Sequence, residues 1–252
     1  MRRRTLITGA SSGLGAGMAR HLAARGHDLA LTARRTDRLD ALRDELLAAH
    51  PGIHVVAHRL DVDDHPQVFD VVAAAADDLG GLDRVVVNAG LGTGARVGTG
   101  RFEANRDTLM TNAVAALAQC EAAMGHFYAR GAGHLVLVSS LAAYRGLPGA
   151  QTAYAASKAA VAHLAEGIRI DLLRHPGHDI AVTTLFPGYI VSEMNDVDER
   201  DVPLMTGTVA GTRAMVDLIE REVAEASVPR LPWVPLGFVL RHAPLRVLRR
   251  LV

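Results

Sequence analysis

The stretch Thr8-Gly9-Ala10-Ser11-Ser12-Gly13-Leu14-Gly15 constrains this chain more than any other, because it joins a short apolar run, Arg4 to Thr8, directly to a segment of helical period, Leu14 to Arg25. Glycine turns a backbone sharply at no steric cost and lets another group approach without a Cβ in the way. The helix that follows offers unpaired N–H groups at its N-terminus, a ready seat for a pyrophosphate. A strand that leads through such a turn into a helix does not pair with its successor as a hairpin. The chain crosses over instead, which builds a parallel sheet.

The same rhythm repeats downstream. Apolar runs at Asp28 to Ala33, Ile53 to Ala57, Arg84 to Asn88, His134 to Ser139 and Ile180 to Phe186 predict strands. Between them, Asp37 to Ala49, Pro66 to Leu79, Phe102 to Arg130 and Thr152 to Leu173 predict helices. Most of the strands lack polar alternation, as expected where helices cover both faces of a sheet. With no repeat, low-complexity tract or linker, residues 1–227 read as a single doubly wound α/β domain. A polar loop over Pro187 to Pro203 precedes a predicted helix at Thr206 to Ala226. Residues 228–252 form a proline-punctuated, arginine-rich tail that packs on the same domain, on a partner subunit or on an anionic membrane surface.

Composition narrows the function classes. With 27 basic against 27 acidic residues the formal charge is zero, so no long-range field recommends nucleic acid. The single cysteine, Cys120, excludes an internal disulfide and a multi-thiolate metal site and reads as a buried, inert thiol. None of the twelve histidines falls in an H-E-x-x-H pattern, and no catalytic metal is expected. The apolar run after Met1-Arg2-Arg3-Arg4 is too short for a signal peptide, and no stretch is long enough to span a bilayer, so a cytoplasmic protein is expected. Lys158 is the only lysine in a chain whose other basic residues are all arginine, which suggests work that arginine cannot do.

Lys158 lies four residues after Tyr154, so on a helix the two side chains share a face. A fixed cation beside a phenol favours the phenolate, the form that accepts a proton. The spacing T-G-x-x-x-G-x-G, Asn88-Ala89-Gly90 after the fourth strand, Ser139-Ser140 at the end of the fifth, Tyr154-x-x-x-Lys158 and Pro187-Gly188 after the sixth occur in an order that resembles the short-chain dehydrogenase/reductase family.

That resemblance implies a Rossmann-like parallel sheet flanked by helices and an oxidoreductase that interconverts a carbonyl and an alcohol. It assigns catalysis to Asn112, Ser140, Tyr154 and Lys158. Tyr154 moves the proton as general acid/base, Lys158 lowers its pKa and binds the nicotinamide ribose, Ser140 orients the substrate oxygen, and Asn112 holds a relaying water. Ser140 stands one residue further from Tyr154 than is usual in the family, with Leu141 at the usual position; a one-residue insertion within Gly149 to Ala153 accounts for this, and Ser139 is the alternative. The cofactor-binding residues implied are Gly9, Ser11, Ser12, Gly13, Leu14, Gly15, Asp61, Val62, Asn88, Ala89, Gly90, Tyr154, Lys158, Pro187, Gly188 and Ser192.

In dinucleotide folds an acid at the end of the second strand binds the ribose 2′-OH, whereas arginine accommodates a 2′-phosphate. Here the strand ends Ala33-Arg34-Arg35-Thr36, so NADP(H) is expected, with Arg34 as first choice for the phosphate and Arg35 as second. A homodimer or homotetramer acting on a small, hydrophobic carbonyl or alcohol follows from the resemblance. The competing reading is a catalytically silent NADP(H)-binding sensor or scaffold, which would keep the glycine-rich turn and lose the proton-transfer residues.

Overall fold

The computed structural model describes residues 3–174, 176–191, 193 and 205–248. Its elements run β1 (Arg4–Thr8), α1 (Gly13–Ala23), β2 (Asp28–Ala33), α2 (Thr36–Ala49), β3 (Val55–Arg59), α3 (His65–Leu79), β4 (Arg84–Val87), α4 (Phe102–Leu109), a π turn (Met110–Val114), α5 (Ala115–Arg130), β5 (Ala132–Val138), a 3₁₀ turn (Leu141–Tyr144), α6 (Gln151–Arg174), β6 (Asp179–Pro187), α7 (Thr208–Glu220), β7 (Glu225–Val228), α8 (Arg230–His242) and α9 (Leu245–Leu248). The seven strands form one parallel sheet in the order β3-β2-β1-β4-β5-β6-β7. The order reverses between β1 and β4, and at such a switch point the diverging connections leave a crevice above the strand ends.

Successive strand residues point to opposite faces, and each face has its own core. Leu6, Val85, Val87, Leu135 and Leu137 face α3, α5 and α6. Ile7, Val86, Val136 and Leu185 face α1, α2 and α7. Cys120 lies buried in the first core, where desolvation pushes its thiol up to about 12, an inert environment. Helices α1 and α7 approach closely because Gly17 has no side chain; a Cβ there would sit 2.6 Å from Thr212.

Several boundaries differ from expectation for identifiable reasons. β3 begins at Val55 instead of Ile53, because Ile53 closes a turn onto the His50 carbonyl. β4 stops at Val87, as Asn88 turns its side chain to the Thr8 carbonyl at 2.9 Å. The long helix over Phe102 to Arg130 is interrupted by the π turn at Met110–Val114. The last strand, β7, straddles the end of the helix expected over Thr206 to Ala226: α7 ends at Glu220, and Glu222 adopts a positive φ of 49° before the chain pairs with β6. The tail is helical and lies partly on the domain, with Trp233 buried against Leu141 and Phe186. Ser192 and the acidic residues 196–201 lie outside the described residues, and no helix among those described is long and apolar enough to cross a membrane.

Candidate active site

A cleft of about 350 Å³ opens at the switch point. Its floor is the turn from β1 into α1, where Gly9 and Gly13 take φ values of 66° and 52°, in the left-handed region that side chains disfavour. A Cβ on Gly9 would fall 2.9 Å from the Ala89 backbone, and one on Gly15 would strike the Gly9 carbonyl. Ser12 caps α1 with its backbone extended, but its hydroxyl does not accept from the first N–H groups of the helix, which among the described residues have no capping side chain.

The structure gathers most of the expected residues around this cleft: Gly9, Ser11, Ser12, Gly13, Leu14, Arg34, Arg35, Asp61, Val62, Asn88, Ala89, Gly90, Ser139, Ser140, Tyr154, Lys158, Pro187 and Gly188 all line it. Gly15 and Asn112 do not; they shape its walls from behind. Gly15 lets α1 start tight against the turn, and Asn112 braces the segment after Gly90. Its amide acts as a substitute peptide, accepting from the Leu91 N–H at 2.7 Å and donating to the Leu91 carbonyl at 2.9 Å, with a further donation to Ser157 Oγ at 3.1 Å.

The two serines at the end of β5 are given different work by their surroundings. The Ser139 hydroxyl donates to the Lys158 carbonyl at 2.7 Å and so ties the strand to α6. The Ser140 hydroxyl accepts from the Ala142 N–H at 3.2 Å, which fixes its direction, and it hydrogen-bonds Tyr154. The geometry therefore pairs Ser140, not Ser139, with the tyrosine despite the unusual spacing.

Tyr154 and Lys158 project from the first turns of α6. The Lys158 ammonium lies 5.8 Å from the centre of the tyrosine ring and donates to the Val138 carbonyl at 3.0 Å. Lys158 is buried and has no carboxylate partner among the described residues; desolvation brings its pKa down to about 8. Burial pushes the Tyr154 hydroxyl above its ordinary value, and the hydrogen bond to Ser140 opposes that rise. In the protein alone the phenol is therefore held in its protonated form.

At the other end of the cleft, Arg35 reaches back over the turn and donates to Ser12 Oγ at 2.6 Å and Ser11 Oγ at 3.1 Å. Its remaining face, together with Arg38, holds the Glu193 carboxylate at 3.1 and 2.6 Å. Arg34 lines the same cleft with no hydrogen bond or ion pair among the described residues. Arg38 and Glu193 escaped sequence reasoning, since they are 155 residues apart and nothing local marks the pairing. The seat of Trp233 escaped it as well: its indole fills the space that a side chain on Gly188 would need, so the glycine after Pro187 admits the tail onto the cleft wall.

The short chain dehydrogenase family model matches residues 3–202, and the chain belongs to that family of oxidoreductases acting on CH–OH and carbonyl groups. An oxidoreductase of Mycobacterium tuberculosis is 51% identical over 249 residues, covering 99% of this chain and 97% of that protein. Among solved structures, a short-chain dehydrogenase/reductase from Burkholderia phymatum in complex with NAD superposes with a TM-score of 0.85 at 23% identity, covering 98% of this chain and 95% of that one. An alcohol dehydrogenase from Thermococcus sibiricus complexed with 5-hydroxy-NADP gives a TM-score of 0.80 at 24% identity, covering 96% and 98%. Both likenesses bear on the fold, and the family binds nicotinamide dinucleotides.

Proposed function

We propose that the chain is an NADP(H)-dependent oxidoreductase that interconverts a ketone or aldehyde and the corresponding alcohol. The observation that carries this reading is the convergence of the Ser140–Tyr154 hydroxyl pair and the buried Lys158 ammonium in the cleft floored by the glycine-rich turn. The cleft fits such a cofactor. Its floor is bare backbone where a Cβ would collide, it opens on an uncapped helix N-terminus, and its wall holds an ammonium that no carboxylate among the described residues neutralises. Gly9, Ser11, Ser12, Gly13 and Leu14 would hold the pyrophosphate side, with Asp61, Val62, Asn88, Ala89 and Gly90 along the wall and Lys158, Pro187 and Gly188 at the far end.

Arg34 supports the choice of NADP(H). It is a cation at the end of β2 with no partner among the described residues, in a position where NAD-binding dinucleotide folds place an acid. Arg35 is engaged with Ser11, Ser12 and Glu193, which leaves it second to Arg34 for a 2′-phosphate.

When bound, the cofactor supplies or accepts the hydride. The chain's own residues handle the proton and the oxygen. In the reductive direction a carbonyl oxygen accepts from the Ser140 hydroxyl and from Tyr154, whose protonated state makes it a general acid; as the carbonyl carbon gains a hydride, the oxygen takes the phenolic proton and becomes the alcohol. Lys158 stabilises the phenolate left behind, and in the oxidative direction the same phenolate takes the proton back.

The test is NADPH oxidation against a panel of aldehydes, diketones and long-chain ketones, with NADH and Tyr154→Phe run in parallel. Turnover that prefers NADPH and falls at least about a hundredfold in the variant supports the reading. Tight NADPH binding with no turnover across the panel, unchanged by Tyr154→Phe, would favour the silent sensor instead.

A further inference from the structure

The tail helix is apolar on two sides, and the domain covers only one of them. Trp233 and Gly237, four residues apart, form the inward stripe: Trp233 lies over Gly188, and Gly237 lies against Tyr144. The extended residue Leu231 leads into an outward side that carries Val234, Phe238 and Val239, and α9 adds Leu245 and Val247. These residues are 77%, 48%, 66%, 41%, 71% and 47% exposed, six large apolar side chains within one short stretch of chain. A helix with apolar residues all round needs a second partner.

Charge identifies that partner. Residues 230–252 contain five arginines and no aspartate or glutamate. Of these, Arg230 and Arg246 are described and exposed, while Arg241 turns inward with the Trp233–Gly237 stripe. Arg145 ties this end of α8 to the domain, donating to the carbonyls of Arg241 and Ala243. Arg241 is steered by stacking 4.0 Å from the centre of the Tyr144 ring. A second copy of the chain fits this face poorly, because a two-fold interface would set an arginine-bearing segment against its own copy, which offers no acid to answer it. An anionic bilayer takes both components, the apolar row entering the headgroup boundary while the arginines meet lipid phosphates.

We infer that α8 and α9 form a docking surface for an anionic membrane. The surface spans nothing; it lies on one leaflet. Because Trp233 anchors α8 on Gly188 and its ring stands 5.7 Å from Tyr189, docking sets one rim of the cleft beside the lipid. This inference is independent of the reaction and of the choice of cofactor.

The experiment is sedimentation of the full chain with vesicles of phosphatidylcholine alone or mixed with phosphatidylglycerol. Phe238→Asp, Leu245→Asp and Arg246→Ala are run beside it, and molar mass is measured by light scattering on every variant. Binding to the mixed vesicles alone is expected, with a loss of at least tenfold for either aspartate and of about fivefold for Arg246→Ala. All three side chains are exposed, so the variants are expected to keep the fold, and unchanged circular dichroism and thermal melting check this. Equal partitioning to both vesicle types, or retention of binding by both aspartate variants, overturns the inference. So does a fall in molar mass on Phe238→Asp, which would make this face a contact between copies.

Discussion

Replacing Glu220 by glutamine should cost the protein about 3 kcal/mol at neutral pH and almost nothing in strong acid. Glu220 ends α7 beneath the sheet, where its carboxylate accepts from the Arg84 guanidinium at 2.6 Å and faces His27 at 3.4 Å. Arg84 is buried and also donates from Nε to His134 Nδ1 at 2.9 Å. That bond makes Nδ1 of His134 the acceptor, so its other ring nitrogen donates to Thr183 Oγ1 at 2.8 Å, and Thr183 donates in turn to the Val223 carbonyl at 2.7 Å. Burial by itself would push the Glu220 carboxyl up. The His27 hydrogen bond and the Arg84 charge outweigh it and hold the group at about 2 instead of 4.5. A displacement of that size corresponds to about 3 kcal/mol of folding stability. Because the folded value lies below the unfolded one, this contribution is complete above about pH 4.5 and disappears as pH falls towards 2. Glutamine keeps the shape and approximates the protonated acid, so urea unfolding of both proteins between pH 7 and pH 3 should show a gap that narrows steadily below pH 4.5. A gap that stays constant across this range, or one below about 1 kcal/mol at neutral pH, would refute the argument that the ionised pair holds α7 to the sheet.

Three further outcomes follow from the site. Since the Lys158 ammonium is brought down to about 8, kcat/KM for carbonyl reduction should fall above that pH, and Lys158→Arg, whose charge persists, should remove the alkaline limb whatever its effect on the plateau. Asn112→Ala leaves the Leu91 N–H and carbonyl without their partner and should lower stability by about 1–3 kcal/mol in denaturant titrations, with a matching loss of NADPH affinity in calorimetry. Gly188→Ala drives a methyl group into the Trp233 indole; a cost of about 1–3 kcal/mol and a red-shifted, more exposed tryptophan emission are expected, and unchanged emission would contradict the packing described.

How much of the site could be read in advance depended on how local its causes were. Tyr154 and Lys158 are one helical turn apart, and the glycines of the turn are adjacent, so their grouping follows from backbone geometry alone. The different surroundings of Ser139 and Ser140 were not local. They come from α6, whose Lys158 carbonyl accepts from the Ser139 hydroxyl while its Tyr154 lies beside Ser140. Asn112 was singled out from sequence, yet its brace on Leu91 depends on a π turn that no propensity marks. The engagement of Arg35 and Arg38 with Glu193 likewise required two distant segments to meet above the cleft.

By itself the sequence determined six of the seven strands, the crossover connections and the glycine-rich turn, because apolar periodicity and glycine chemistry act within a few residues of where they are written. Tertiary structure alone decided β7, whose four residues become a strand only by pairing with β6, and the seating of Trp233 on Gly188. It also left the outer face of α8 uncovered. The physical reason is the same in each case: an edge pairing, a buried indole and an exposed apolar row are properties of what lies across from a residue, and that neighbour is supplied by the fold.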